Sequence, residues 1–148
     1  MADEDAARLR AAVAALMRLF LVNERRFPPA GGAARYSPHD FQSLTFIAER
    51  GEASLGALAA HLGVAATTAT SVADRLVRKG LASRHAHAGD GRSRVLRLTE
   101  EGATLAERIV AQDLVNMNAV LDALAPHERR PFVGMMARVA ERLTSEAR

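Results

Sequence analysis

The sequence contains no cysteine and no tryptophan, and it has a single tyrosine among 148 residues. Without cysteine the chain can form no disulfide, no thiolate metal site and no thiol-based redox switch. No run of 18 or more apolar residues occurs, which argues against a transmembrane helix. The first residues, MADEDAARLR, are acidic and lack the apolar stretch of a secretory signal. We therefore expect a cytoplasmic protein.

The composition, 49% hydrophobic and 25% charged, is that of a globular domain with a core of its own. Its net charge of +3 is unevenly distributed. Residues 53–99 hold seven basic and two acidic residues, a charge of +5, whereas the rest holds 13 basic and 15 acidic residues, a charge of −2. A basic segment in a mildly acidic chain favours an anionic partner, above all nucleic acid. A solvated basic face is the alternative interpretation.

Apolar residues that recur every three or four positions predict long helices towards both ends of the chain. The first is expected from Ala6 to Phe27, with Asp3 or Asp5 as its cap and two prolines after its end. Thr99 is expected to cap a long fifth helix, and Pro126 to begin a sixth.

The middle of the chain predicts shorter elements. Ser37 is expected to cap a second helix that begins at Pro38, with Asp40 in its first turn. Ser54 caps a third helix that ends at Gly63. A fourth helix follows over residues 65–79, and two strands, 81–85 and 94–99, are joined by a glycine-rich tip.

The third and fourth helices, joined at Gly63, are spaced like the two helices of a helix-turn-helix motif. In that motif the second helix enters the major groove of DNA. Small alanines and hydroxyl residues begin that fourth helix, where they can approach base edges, and cations follow at its end. Hydroxyls near a helix start are also ordinary caps, and terminal cations complement the helix dipole. The hydroxyl residues are Thr67, Thr68, Thr70 and Ser71, and the cations are Arg75, Arg78 and Lys79.

The stretch from Leu62 to Gly102 resembles the multiple antibiotic resistance regulator (MarR) family of winged helix-turn-helix repressors. The matching motifs are Asp74-Arg75-Leu76, Gly80-Leu81, Asp90-x-Arg92 and Leu96-x-Leu98-Thr99. The resemblance implies a mainly α fold with a small β-hairpin wing (α+β), and long N- and C-terminal dimerisation helices. It also implies one winged-helix chain over 1–148, a DNA-binding unit over 53–99, and dimerisation regions at 1–30 and 100–148.

By the same resemblance the protein is a homodimer, binds a palindromic operator and responds to a small aromatic or phenolic ligand. It uses no cofactor and is not an enzyme. The apolar stripes of the first, fifth and sixth helices support the dimer independently, since a winged unit of about fifty residues cannot cover them. A monomeric helix bundle and a constitutive regulator without a small-molecule effector are the alternatives.

The wing departs from the family at Gly91, which stands where an arginine is common, and Arg94 is expected to compensate in part. Asp90-Gly91 is a strong turn pair, and Asp90 is expected to aim the guanidinium of Arg92. Ala65 and Ala66 stand where the family has a capping hydroxyl. The predicted DNA contacts are Ser54, Thr67, Thr68, Thr70, Ser71, Arg75, Arg78, Lys79, His87, Asp90, Arg92 and Arg94.

Two further groups of residues raise the question of a small-molecule site and of a metal site. Near the start of the second helix the family often binds small aromatic acids, and adaptable methionines can line such a pocket. The predicted ligand contacts are Met17, Arg35, Tyr36, His39 and Met117. The pattern His85-x-His87-x-x-Asp90 is the best argument for a metal-dependent enzyme. No second ligand cluster accompanies it, so no metal site is predicted and catalysis is a remote alternative.

Overall fold

The computed structural model describes the backbone of residues 2–24 and 36–146, and the side chains of residues 3–20, 36–89 and 94–145. This part of the chain forms two compact units, Met1–Gln112 and Asp113–Arg148. Six helices and a small three-stranded sheet in residues 2–24 and 36–146 confirm the predicted fold class. The elements are α1 (Ala2–Glu24), α2 (Pro38–Arg50), β1 (Ala53–Ser54), α3 (Leu55–Leu62), α4 (Ala66–Arg78), β2 (Ala82–His87), β3 (Asp90–Leu98), α5 (Glu100–Asp122) and α6 (Pro126–Glu146).

Local capping explains where α2 and α3 begin and end. The Ser37 hydroxyl accepts from the Asp40 N–H at 3.2 Å, and the Asp40 carboxylate accepts from the Ser37 N–H at 2.8 Å. This reciprocal pair satisfies two N–H groups at the start of α2. Ser54 caps α3 by accepting from the Ala57 N–H at 3.1 Å, and Gly63 ends it in the left-handed conformation. All these boundaries were predicted.

At the start of α1 a predicted cap is wrong, and at the start of α4 the predicted lack of a cap is confirmed. Asp3 and Asp5 lie inside the first turn of α1, so the prediction that either one caps the helix is wrong. The helix begins earlier than predicted, and the two carboxylates favour its positive end. Ala65 precedes α4 without a side-chain cap, as the sequence predicted, and Gly80 turns the chain towards β2 at φ 71°.

The sheet has the order β1-β3-β2, with both pairs antiparallel. The short strand β1 was not predicted, because two residues carry no alternation pattern. The hairpin turn lies at Ala88-Gly89, and Asp90 is already paired with His87 in the sheet. The prediction of an Asp90-Gly91 turn is therefore wrong. The register shifts between Ala86 and His87, which leaves three extra residues in β3 at this end of the hairpin.

Side chains from α2, α3, α4, β3 and the start of α5 enclose the core of the first compact unit. This part of the fold is called the winged unit below. The largest fully buried apolar residues are Leu44, Ile47, Leu58, Val72, Leu76 and Leu96. α5 joins this core at a close approach of two backbones. Gly102 is buried, and a Cβ placed on it would lie 1.9 Å from the Leu81 carbonyl oxygen. Thr99 holds the same junction, since its hydroxyl accepts from the Gly102 N–H at 3.1 Å.

The long helices expose large apolar side chains. The most exposed are Leu9, Met17 and Leu19 on α1, Leu114 and Val115 on α5, and Met136, Val139 and Leu143 on α6. No single helix in the described residues is both long and apolar enough to span a membrane. Only α3 and α4 taken together pass that test of length and composition, and they are bent by 108°.

Candidate nucleic-acid interface

The helix α4 is strongly two-sided. Its buried face consists of Ala69, Val72, Ala73 and Leu76, and it packs into the core of the winged unit. The exposed face carries the four predicted hydroxyl residues at its start and Arg78 at its end. The hydroxyl residues predicted to approach base edges therefore lie on the exposed side of α4.

The four hydroxyls of α4 differ in what they can still donate. Thr70 donates to the Ala66 carbonyl at 2.9 Å, and Ser71 donates to the Thr67 carbonyl at 3.0 Å. Within the described part of the chain, the hydroxyls of Thr67 and Thr68 have no such partner. A hydroxyl has one proton to donate, so only Thr67 and Thr68 keep theirs for an external acceptor.

Ser54, also predicted to contact DNA, lies half-buried at the start of α3. Its hydroxyl oxygen accepts from the Ala57 N–H and thereby caps the helix. The capping role is sufficient to explain this serine, and the contact with DNA stays a prediction.

A buried carboxylate on α2 holds two of the cations predicted to contact DNA. The Asp40 side chain is 0% exposed, and its Oδ1 accepts from Nε and Nη2 of Arg75 at 2.8 Å and 2.7 Å. Nη2 of Arg75 also donates to the Ser37 hydroxyl at 3.0 Å. Nζ of Lys79 lies 3.5 Å from Oδ2 of Asp40 and 4.4 Å from the centre of the Tyr36 ring.

Sequence reasoning placed Asp40 only as a residue of a helix start. Asp40 and Arg75 are 35 positions apart, and no pattern in the sequence relates the two. The contact arises because the core packs the start of α2 against the end of α4. This cluster of Ser37, Asp40, Arg75, Lys79 and Tyr36 is called the Asp40 cluster below.

Two further acids pair with cations of the basic segment. Asp74 on α4 pairs with Arg84 on β2, which ties the helix to the wing hairpin. Glu52 accepts from Nε and Nη2 of Arg97 at 2.9 Å and 2.7 Å, and it lies 4.0 Å from Nε2 of His87. These pairs are partly exposed, and each contributes about 1 kcal/mol or less.

Few of the described cations in residues 53–99 lie outside these ion pairs. Arg78 and Arg94 are exposed, and neither forms an ion pair with a side chain that the structure describes. The side chains of Asp90 and Arg92 lie outside the described residues, so the aiming of Arg92 by Asp90 stays a prediction. The usable positive charge of this face is thus concentrated at the exposed end of α4 and on β3.

The predicted ligand contacts are only partly described. Arg35 lies outside the described residues. The Tyr36 ring contacts Lys79 and packs against Phe41 at a centroid distance of 5.7 Å. His39 is half-buried on the first turn of α2, Met17 is exposed on α1, and Met117 is exposed on α5.

The histidines of the wing have protein partners. Nε2 of His85 lies 2.7 Å from the Ser83 hydroxyl, and Nδ1 of His87 accepts from the Gly89 N–H at 3.2 Å. No group of three or more potential metal ligands occurs among the described residues. The Asp90 side chain lies outside the described residues, so the pattern His85-x-His87-x-x-Asp90 stays untested.

Comparisons with known proteins agree with this geometry. The sequence profile of the MarR family matches residues 36–93. The HTH-type transcriptional repressor YetL of Bacillus subtilis is 32% identical over 101 residues, which are 68% of this chain and 60% of YetL. The HTH-type transcriptional regulator PecS of Dickeya dadantii is 26% identical over 136 residues, which are 90% of this chain and 82% of PecS.

Solved structures share the fold over most of the chain. Streptococcus pneumoniae FabT, in complex with DNA, has a TM-score of 0.82 at 16% identity and covers 95% of this chain and 98% of its own. Bordetella bronchiseptica BpsR, whose DNA binding is regulated by 6-hydroxynicotinic acid, has a TM-score of 0.67 at 21% identity, with 91% of each chain covered. At these identities the likeness shows the fold alone.

Proposed function

Because the chain belongs to the MarR family of winged-helix transcriptional regulators, we propose that it binds a palindromic DNA operator as a homodimer and represses transcription. The observation that carries this proposal is the exposed face of α4. Among the described side chains, that face combines two hydroxyls with protons left to donate, small alanines and an arginine outside any ion pair. The likeness to the repressor YetL and to FabT, which was solved in complex with DNA, supports it.

In the proposed complex α4 lies in the major groove. Thr67 and Thr68 meet base edges, because their hydroxyls can donate as well as accept and their methyl groups can contact thymine. Arg78 binds a backbone phosphate. Arg92 and Arg94 of the wing reach the flanking minor groove, where narrow A·T-rich segments attract arginine.

The exposed apolar faces of α1, α5 and α6 support the homodimer. Such faces are costly in water, and a second copy of the chain covers them in a two-fold dimer. In this proposal regions 1–30 and 100–148 form the dimer interface, while 53–99 contacts DNA. A two-fold protein presents two copies of α4 and therefore selects two half-sites related by a palindrome.

The test of sequence-specific binding is selection of bound duplexes from a random DNA pool. The wild-type protein is expected to select a palindrome. Thr68→Val keeps the shape of the side chain and loses its free hydroxyl, so we expect a changed preference at one position of each half-site, with about 0.5–1.5 kcal/mol less discrimination there, the net value of one hydrogen bond.

Thr70→Val is the control on the same helix, with an exposed threonine about 200° around α4 from Thr68. Its hydroxyl proton is already donated to the Ala66 carbonyl, so its loss is expected to leave the selected sequence nearly unchanged. Identical selected sequences for the wild type and Thr68→Val would remove Thr68 from the readout. Failure of the wild type to enrich any sequence would contradict the proposed function.

We also propose that a small aromatic or phenolic acid controls DNA binding, in the way that 6-hydroxynicotinic acid regulates the DNA binding of BpsR. A ligand lowers DNA affinity if it binds more tightly to a dimer whose two α4 helices do not match the spacing of the half-sites. The size of the effect is set by the difference between the ligand's affinities for that dimer and for the DNA-binding dimer. Titration of operator complexes with phenolic acids and 6-hydroxynicotinic acid is expected to release DNA, with a weaker response in Tyr36→Ala. Unchanged DNA affinity across the whole panel would favour the constitutive regulator instead.

A further inference from the structure

We infer that Asp40 is a positioning residue that withholds Arg75 and Lys79 from the DNA backbone and so suppresses non-specific binding. The inference rests on the proposed function, because it concerns the same DNA-binding face. It differs from the sequence prediction, in which Arg75, Arg78 and Lys79 all bind phosphate. In the inferred arrangement Arg78 is the cation of α4 that binds phosphate.

The burial of Asp40 is the first support. The carboxylate is 0% exposed, so it cannot exchange its partners for water. Removal of a cation from a buried carboxylate leaves an uncompensated charge in the interior, which is strongly unfavourable. Arg75 and Lys79 therefore stay with Asp40 when DNA approaches.

The limited exposure of the two cations is the second support. The Lys79 side chain is only 15% exposed, and its ammonium lies against the Tyr36 ring. The Arg75 side chain is 31% exposed, but three of its N–H donors are used by Asp40 and Ser37. A phosphate at Arg75 would also meet the negative charge of Asp40 at short range.

The pairing of Arg75 and Lys79 with Asp40 changes how much positive charge α4 offers to DNA. Non-specific affinity for DNA depends on how many phosphates are neutralised, whereas specificity depends on base contacts. Arg75 and Lys79 are neutralised within the protein, so they add little to the non-specific term. The cluster also joins the start of α2 to the end of α4, which holds α4 in one orientation for base readout.

The test compares the salt dependence of binding to the selected operator and to an unrelated duplex of equal length. Asp40→Asn keeps the size of the side chain and loses its charge, which releases both cations. We expect tighter binding to the unrelated duplex, a salt slope steeper by about 0.9 to 1.8, and a smaller specificity ratio. Glu49→Gln is the control, because it makes the same change in net charge on the exposed side of α2.

A salt slope of Asp40→Asn equal to that of Glu49→Gln would overturn the inference. Lys79→Gln gives a second measurement if Asp40→Asn folds poorly, since it leaves Asp40 paired with Arg75. We expect Lys79→Gln to keep the wild-type salt slope. A slope flatter by about 0.9 would mean that Lys79 binds phosphate, contrary to the inference. Absence of DNA binding by the wild type would instead contradict the proposed function itself.

Discussion

Val139→Glu is expected to raise the dissociation constant of the proposed homodimer by about 1,000-fold. Val139 belongs to an apolar stripe on α6 with Phe132, Met136 and Leu143, and it is 53% exposed in the single chain. Burial of an uncompensated carboxylate in an interface costs about 2 kcal/mol, and a two-fold dimer contains the substitution twice. The resulting cost of about 4 kcal/mol corresponds to the expected loss of affinity.

Sedimentation equilibrium measures this change, and circular dichroism checks that the helices persist. Operator affinity should fall in parallel, because a monomer can bind only one half-site. Ala137→Glu is the matched control, since it places the same charge about 200° around the helix from Val139. If Val139→Glu remained dimeric at the concentrations where the wild type is dimeric, the stripe on α6 would lie outside the interface.

Gly102→Ala is expected to destabilise the winged unit by about 3 kcal/mol, at the upper end of the usual cost of overpacking. The added methyl group would lie 1.9 Å from the Leu81 carbonyl oxygen, which is backbone and cannot rotate away. Gly102 does not have a positive φ, so close contact alone requires glycine there. Thermal unfolding followed by circular dichroism should show a midpoint lower by roughly 10 °C.

Gly56→Ala is the control for this substitution. Gly56 is a helical glycine of α3 in the same winged unit, and no atom lies within 4 Å of the position of its added Cβ. Alanine is favoured over glycine in a helix, so stability should stay the same or rise by up to about 1 kcal/mol. A midpoint for Gly102→Ala equal to that of Gly56→Ala would show that the α5 junction adapts to the methyl group.

The boundaries of α2 and α3 and the start of α5 were predictable because they depend on neighbours in sequence. Ser37, Ser54 and Thr99 cap their helices through an N–H three residues later, and Gly63 ends α3 by its own backbone conformation. The hairpin turn was misplaced because Asp90-Gly91 and Ala88-Gly89 both suit a tight turn. Pairing with the neighbouring strand decides between them.

The sequence by itself determined the order of the six described helices and the two hairpin strands, the two-sided character of α4 and the resemblance to the MarR family. The first two properties follow from periodicity and from contacts within three or four residues, and the third follows from the motifs that the chain shares with the family. Only the tertiary structure decided which cations remain available. Arg75, Lys79, Arg84 and Arg97, four of the seven cations in 53–99, are paired with acids.

Two of those acids, Asp40 and Glu52, precede the basic segment, and the pairs Asp40–Arg75 and Glu52–Arg97 span 35 and 45 residues. A charge count along the chain cannot detect such pairs, since it assigns full charge to every cation. Packing of α2 against α4 and of β1 against β3 brings the acids to them. The basic segment predicted correctly where to look for the interface, and the fold determined which arginines can act there.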